Sequence, residues 1–177
     1  MKVLFIGGTG NISTSVSRLC ISKGIDLYLL NRGITKKKIE GAKYINCDIN
    51  DFNNASELLK NHKWDSVVNW IAFTENEVLR DFKLFHKSTK QYIFISSASC
   101  YQKPPVFPMI TESTPLCNPF WEYSRNKIAC EERLNEKYRE TGFPITIVRP
   151  SHTYDTAIPV AIGGWTDYTI IDRIKKG

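Results

Sequence analysis

A glycine turn set between an apolar run and an amphipathic stretch, Val3 to Ile6 followed by Gly7-Gly8-Thr9-Gly10-Asn11-Ile12-Ser13, restricts the fold of this chain more than any other feature. The apolar run reads as a strand. Ile12, Val16, Leu19 and Cys20 recur at helical spacing over Asn11 to Lys23, and Gly24 is placed to end that helix. Glycines at such a junction let the backbone come close to an anion. Gly7 and Gly10 permit a tight turn, and the N–H groups at the helix start, Asn11 and Ile12 among them, favour a pyrophosphate with the help of the helix dipole. Ser13 departs from the dinucleotide fingerprint, which has glycine or alanine there for close packing of helix on strand. The alternative is a glycine turn that binds nothing.

The same grammar repeats along the chain. Strands are predicted at Asp26 to Leu30, Tyr44 to Cys47, Ser66 to Trp70, Tyr92 to Ser96 and Ile145 to Val148. Helices are predicted at Asn53 to Asn61, with Ala55, Leu58 and Leu59 inward, at Val78 to Lys87, and at Trp121 to Thr141 up to Gly142. Pro104, Pro105 and Pro108 force a long loop, because each fixes φ and removes a donor. Past Pro150 the chain turns irregular through Gly163-Gly164, then offers Ile170, Ile171 and Ile174 as one apolar helix face. The expectation is an α/β, Rossmann-like, doubly wound parallel sheet of about six strands with helices on both faces. Residues 1–150 form the nucleotide-binding domain, and 151–177 begin a substrate-binding region.

Composition narrows the partners. Five cysteines with no C-x-x-C spacing suggest neither a disulfide framework nor zinc, and the scattered His62, His86 and His152 form no ligand motif, so no metal is expected and a reducing cytoplasm is the simplest home. The N-terminal apolar run is too short for a membrane span. Part of the net charge of +6 sits in Arg32, Lys36, Lys37 and Lys38 and in Arg173, Lys175 and Lys176. Without interleaved aromatics these clusters read as solvated surface, and nucleic acid is not expected as a partner.

The end of the second strand bears on the choice of dinucleotide. NAD recognition generally places an acidic residue there, whereas this chain has Asn31, which does not repel a 2′-phosphate, followed by Arg32, which can grip one. NADP is therefore favoured over NAD, the alternative being that Arg32 is ordinary surface. Asp48-Ile49, after the third strand, suits either the adenine rim or a helix cap formed by the aspartate.

Tyr123 and Lys127 stand four residues apart in the longest helical pattern, so phenol and ammonium project from one face. A phenol with a pKa of about 10 is a poor base, and lowering it by about 3 units takes roughly 4 kcal/mol, part of which a nearby cation supplies. Lys127 could also hold a nicotinamide ribose. Y-x-x-x-K alone is more often an ordinary helix face. Here it follows a phosphate turn, five predicted strands and the hydroxyl-rich Ser96-Ser97-Ala98-Ser99, where this fold collects ligands.

Gly7 to Ile12, Ile95 to Tyr101, Tyr123 to Lys127 and Arg149-Pro150 together resemble the extended short-chain dehydrogenase/reductase family, of the epimerase/dehydratase kind. The resemblance spans nearly the whole chain. It implies a catalytic trio in which Ser97 hydrogen-bonds the reacting oxygen, Tyr123 exchanges its proton, and Lys127 completes the set as hydride moves to or from NAD(P). It further implies that Asn69 to Ala72 and Pro150 to His152 line the cofactor, Ala72, Pro150 and His152 among the contacts; for His152 a loop histidine bonded to backbone is the competing reading. The substrate implied is a small molecule such as a nucleotide sugar, and a homodimer is compatible with the family. A non-catalytic binder that senses NAD(P) or holds RNA is the alternative function, and an isolated structural fragment a third.

Overall fold

The computed structural model describes residues 1–34, 37–153 and 168–177, the side chain of Ile170 apart, so Lys36 and Gly163-Gly164 lie outside the described residues. Six strands pair in parallel: β1 (Lys2–Ile6), β2 (Asp26–Asn31), β3 (Lys43–Asn46), β4 (Ser66–Asn69), β5 (Tyr92–Ile95) and β6 (Ile145–Val148). Their order is β3-β2-β1-β4-β5-β6. The chain steps outward from β1 to β3, then returns to β4 on the other side of β1. That reversal opens a crevice at the carboxyl ends of β1 and β4, where such sheets receive ligands.

Period-two alternation in β1 serves two cores. Leu4 and Ile6 join residues of α2 (Phe52–Leu59), α3 (Glu75–Phe85) and α4 (Glu122–Thr141), such as Ala55, Val78, Phe85, Cys130 and Leu134. Val3 and Phe5 face the other way, where Val16, Cys20 and Ile21 of α1 (Asn11–Ser22) cover them with Leu27 and Leu29. Helices thus lie on both faces. A last helix, α5 (Thr169–Lys176), forms where it is expected, but Ile174 is exposed.

Several local expectations need correction. The residues of α1 that are most buried are Ser13, Thr14 and Ser17, while Leu19 is exposed. Small side chains tie this helix to the glycine turn: the Ser17 hydroxyl donates to the Gly8 carbonyl at 3.1 Å and that of Thr14 to the Gly10 carbonyl at 2.7 Å. Ser13 is buried, and its hydroxyl accepts from Gly10 N at 2.9 Å. On α2, Ala55 and Leu59 are buried but Leu58 is exposed. Helix α3 starts at Glu75 and not at Val78, because the Glu77 carboxylate accepts from the Phe73 and Thr74 N–H groups at 2.7 and 2.9 Å and fixes the first turn. Gly142 closes α4 in the left-handed conformation, φ +71°, as the pattern predicts.

Candidate active site

Two cavities, of about 490 and about 420 Å³, meet along the carboxyl edge of the sheet and share Gly7, Thr9, Ile71 and Phe73. The trench they form reaches from the end of β2 to the start of α4. Of the residues singled out from sequence, Gly7, Gly10, Asn11, Ile12, Ser97, Tyr123, Lys127 and Pro150 line the first cavity. Gly7, Asn31, Arg32, Asp48 and Ile49 line the second. Ala72 and His152 line neither. Ala72 is buried beneath the wall, between Ile71 and Phe73, and His152 is exposed while its neighbours Pro150, Ser151 and Thr153 face the cavity.

The turn between β1 and α1 divides its labour among its glycines in an unexpected way. Gly7 has φ +93° and Gly8 φ +116°, and a Cβ on Gly8 would lie 2.6 Å from Leu29 Cδ2. Gly8, overlooked in the sequence, is therefore needed by the fold. Gly10 has φ −78°, open to any residue, and its missing Cβ would meet only Ser13 Oγ, at 3.4 Å. It does not make the turn; it leaves space over the start of α1. With no acidic residue in its first turn, that helix end keeps its positive field for an anion. Asp48 is not a helix cap: Asp51 caps α2, accepting from Asn54 N, while Asp48 accepts from Asn50 N at 2.9 Å beside the second cavity.

At the other end, Lys127 is 2% exposed and donates to the carbonyls of Ala72 and Ile95 at 2.6 and 2.7 Å. Its Nζ lies 4.5 Å from the Phe73 ring centroid and 4.7 Å from that of Phe94. Burial lowers its pKa to about 8. The Tyr123 ring packs between Trp121, with centroids 4.7 Å apart, and Phe73, at 6.0 Å. Burial raises the Tyr123 phenol, the nearby Ser97 side chain pulls it down by less, and the Cys100 thiol adds a smaller upward push. The lowering expected from Lys127 is absent: the ammonium is committed to two carbonyls, 5.8 Å from the Tyr123 ring centroid. In this state the phenol keeps its proton.

Two buried polar clusters that sequence reasoning missed hold these groups in place. Arg149 grips Glu131 through Nε at 2.9 Å and Nη2 at 2.6 Å, and the Ser96 hydroxyl donates to the same carboxylate. Arg149 also donates to the Tyr101 hydroxyl at 3.2 Å, so α4 and the ends of β5 and β6 are joined behind Ser97. Asn69, at the end of β4, accepts from Ile71 N and Ala72 N at 2.7 and 2.8 Å, and its amide donates to the buried Asp81. Asp81 also accepts from Tyr92 at 2.6 Å and from Arg80 at 2.8 Å; burial still holds its pKa above the usual carboxylate value. Among the described residues no group of three or more histidine, cysteine or acidic side chains is placed to hold a metal, and no helix is long and apolar enough to cross a membrane.

The family model of the NAD dependent epimerase/dehydratase family matches residues 3–156. A UDP-glucose 4-epimerase from Lactobacillus helveticus is 30% identical over 169 residues, covering 84% of this chain and 51% of that protein. The chain spans about half the length of the curated relatives it matches. The fold is similar to that of Pal from Bacillus thuringiensis, with a TM-score of 0.78 at 19% identity over 99% of this chain and 64% of that one. It is also similar to a UDP-glucose 4-epimerase from Bifidobacterium longum in complex with NAD+ and UDP, with a TM-score of 0.72 at 22% identity over 84% and 52%.

Proposed function

Because this chain belongs to the NAD dependent epimerase/dehydratase family, we propose that it binds NAD(P) along the trench and, as part of an epimerase or dehydratase, works on a hydroxyl-bearing carbon of a nucleotide sugar. One observation carries the reading: a single cavity brings the glycine turn together with Ser97, Tyr123 and Lys127, residues far apart in sequence. Gly7, Gly10, Asn11 and Ile12 would hold the diphosphate, and Asn31, Arg32, Asp48 and Ile49 the adenosine. The open space above Gly10 fits that group. Once bound, the dinucleotide supplies a nicotinamide ring able to take up and return hydride.

The chain's own residues do the rest. Tyr123 holds its proton at Oη until a substrate oxygen needs it, Ser97 hydrogen-bonds that same oxygen, and Trp121 and Phe73 screen the phenol from water. Two of the three Lys127 N–H donors are taken by carbonyls, which leaves one for a ribose hydroxyl. Residues 151–177 begin the substrate side, supported by Ser151 and Thr153 at the cavity wall.

NADP over NAD is part of the proposal. Asn31 and Arg32 line the adenosine cavity, an amide and a guanidinium where a 2′-phosphate would lie. A cytoplasmic home and a homodimer complete it, read by fractionation and by sedimentation velocity. Calorimetry of the chain with NADPH, NADH, UDP-glucose and RNA in parallel tests the reading. NADPH should bind more tightly than NADH, Arg32→Ala should remove about a tenfold difference between them, and salt-sensitive RNA binding without dinucleotide binding would overturn the proposal.

A further inference from the structure

We propose that Asn118, Ser124 and Ser99 form a one-way hydrogen-bond chain that turns the Ser97 hydroxyl proton toward the Tyr123 oxygen and the substrate oxygen, which makes all three positioning residues for the acid/base pair. The inference deepens the reading of Tyr123 and Ser97 given above and rests on it. The chain's direction follows from counting protons.

The Asn118 amide is fixed at both ends. Its Nδ2 donates to the Ser99 carbonyl at 2.7 Å, which can only accept, and its Oδ1 accepts from Phe120 N at 3.2 Å. The same Nδ2 reaches the Ser124 hydroxyl at 3.3 Å. Ser124 is fully buried and its hydroxyl donates to Ser99 Oγ at 2.8 Å, so Ser99 must spend its one proton elsewhere. The neighbour in reach is Ser97 Oγ, at 2.8 Å. Ser97 Oγ already accepts from Ser99 N at 3.1 Å. With both lone pairs filled, Ser97 has only its proton left to offer, and the open side is the cavity that it lines with Tyr123.

A hydroxyl made to donate stabilises an oxygen that gains negative charge, either a phenolate or a substrate oxygen in the transition state. Ser97 is the group that draws the phenol's pKa down; Cys100, on the adjoining turn, raises it, and Lys127, on the same helix, is bound to carbonyls. The chain ends on an amide, which cannot take up a proton. It therefore sets direction and does not drain the site.

Replacing tyrosine by difluorotyrosine throughout the full chain brings phenol titrations near neutral pH, and fluorine NMR follows each ring, with Tyr123→Phe identifying its signal. Ser99→Ala should raise the Tyr123 pKa by about half a unit to one unit, because Ser97 regains a lone pair and can accept the phenol's proton. Ser124→Ala should shift it the same way by less, and Ser99→Thr, which keeps the hydroxyl, should leave it near the wild-type value. An unchanged titration in folded Ser99→Ala, or an equal shift in Ser99→Thr, would overturn the proposal. Should the buried Ser124 variant not fold, the two Ser99 variants decide. Neither dinucleotide nor sugar is needed, so failure here is distinct from failure of the proposed function.

Discussion

The two ends of the trench are built by different means. At the glycine-turn end the backbone does the work: two glycines at positive φ shape the turn, a third leaves room, and the start of α1 supplies the field. At the Tyr123 end side chains do it. Lys127, Ser97 and Tyr123 are held by carbonyls, hydroxyls and ion pairs drawn from β4, β5, β6 and α4. Binding by backbone needs a few residue types in one short stretch, whereas positioning by side chains needs many partners from distant parts of the chain.

The largest effect is expected at the Tyr123 end. Arg149→Met leaves the Glu131 carboxylate, 1% exposed, without its cation. The loss should be about 3–5 kcal/mol, or roughly 10 °C in Tm, whereas dinucleotide affinity measured at low temperature should stay close to wild type. An equal loss of affinity would mean that the two ends are not separable.

Lys127 offers the next effect, through pH. Its pKa in the folded chain, about 8, lies below the ordinary 10.5, so between those values the unfolded chain binds more protons. Stability should therefore rise with pH across that window, the full burden of the buried ammonium being present below about 8 and relieved above it. The span corresponds to about 3 kcal/mol. Thermal melts of wild type and Lys127→Met across the window read it, and parallel curves would show that the ammonium is not burdened.

The smallest effects sharpen the contrast within the glycine turn. Gly8→Ala should cost about 2–3 kcal/mol, from the positive φ and the clash with Leu29, and is read by denaturant unfolding. Gly10→Ala should change stability by less than about 1 kcal/mol yet weaken NADPH binding, because its Cβ points into otherwise open space. If both variants behaved alike, the division of labour would be wrong.

The same division explains what could be read from sequence. The parallel strands and the glycine turn were legible because the apolar runs and Val3 to Ser13 carry their own context, and the Tyr123 to Lys127 pair because a helix places such residues on one face. The Thr74-to-Glu77 box is a local signal too, and it sets the start of α3 ahead of Val78. Gly8 was hidden among similar residues, since its positive φ and the close approach of Leu29, which separate it from Gly10, exist only in the folded chain. Glu131 and Arg149 are 18 residues apart, and Asn69 and Asp81 are 12; nothing local marks either pair as partners. The wrong expectation for the phenol has the same origin. Spacing put a cation near Tyr123 but could not reveal the carbonyls that claim it.

Asn69 has one further consequence. Its amide is tied to Asp81 on α3, its oxygen to the Ala72 N–H, and the Ala72 carbonyl to the Lys127 ammonium, an unbroken line of four groups from one helix to another. A small shift of α3 is therefore felt as a displaced charge beside the phenol, and a side chain that touches no ligand sets the address of one that would.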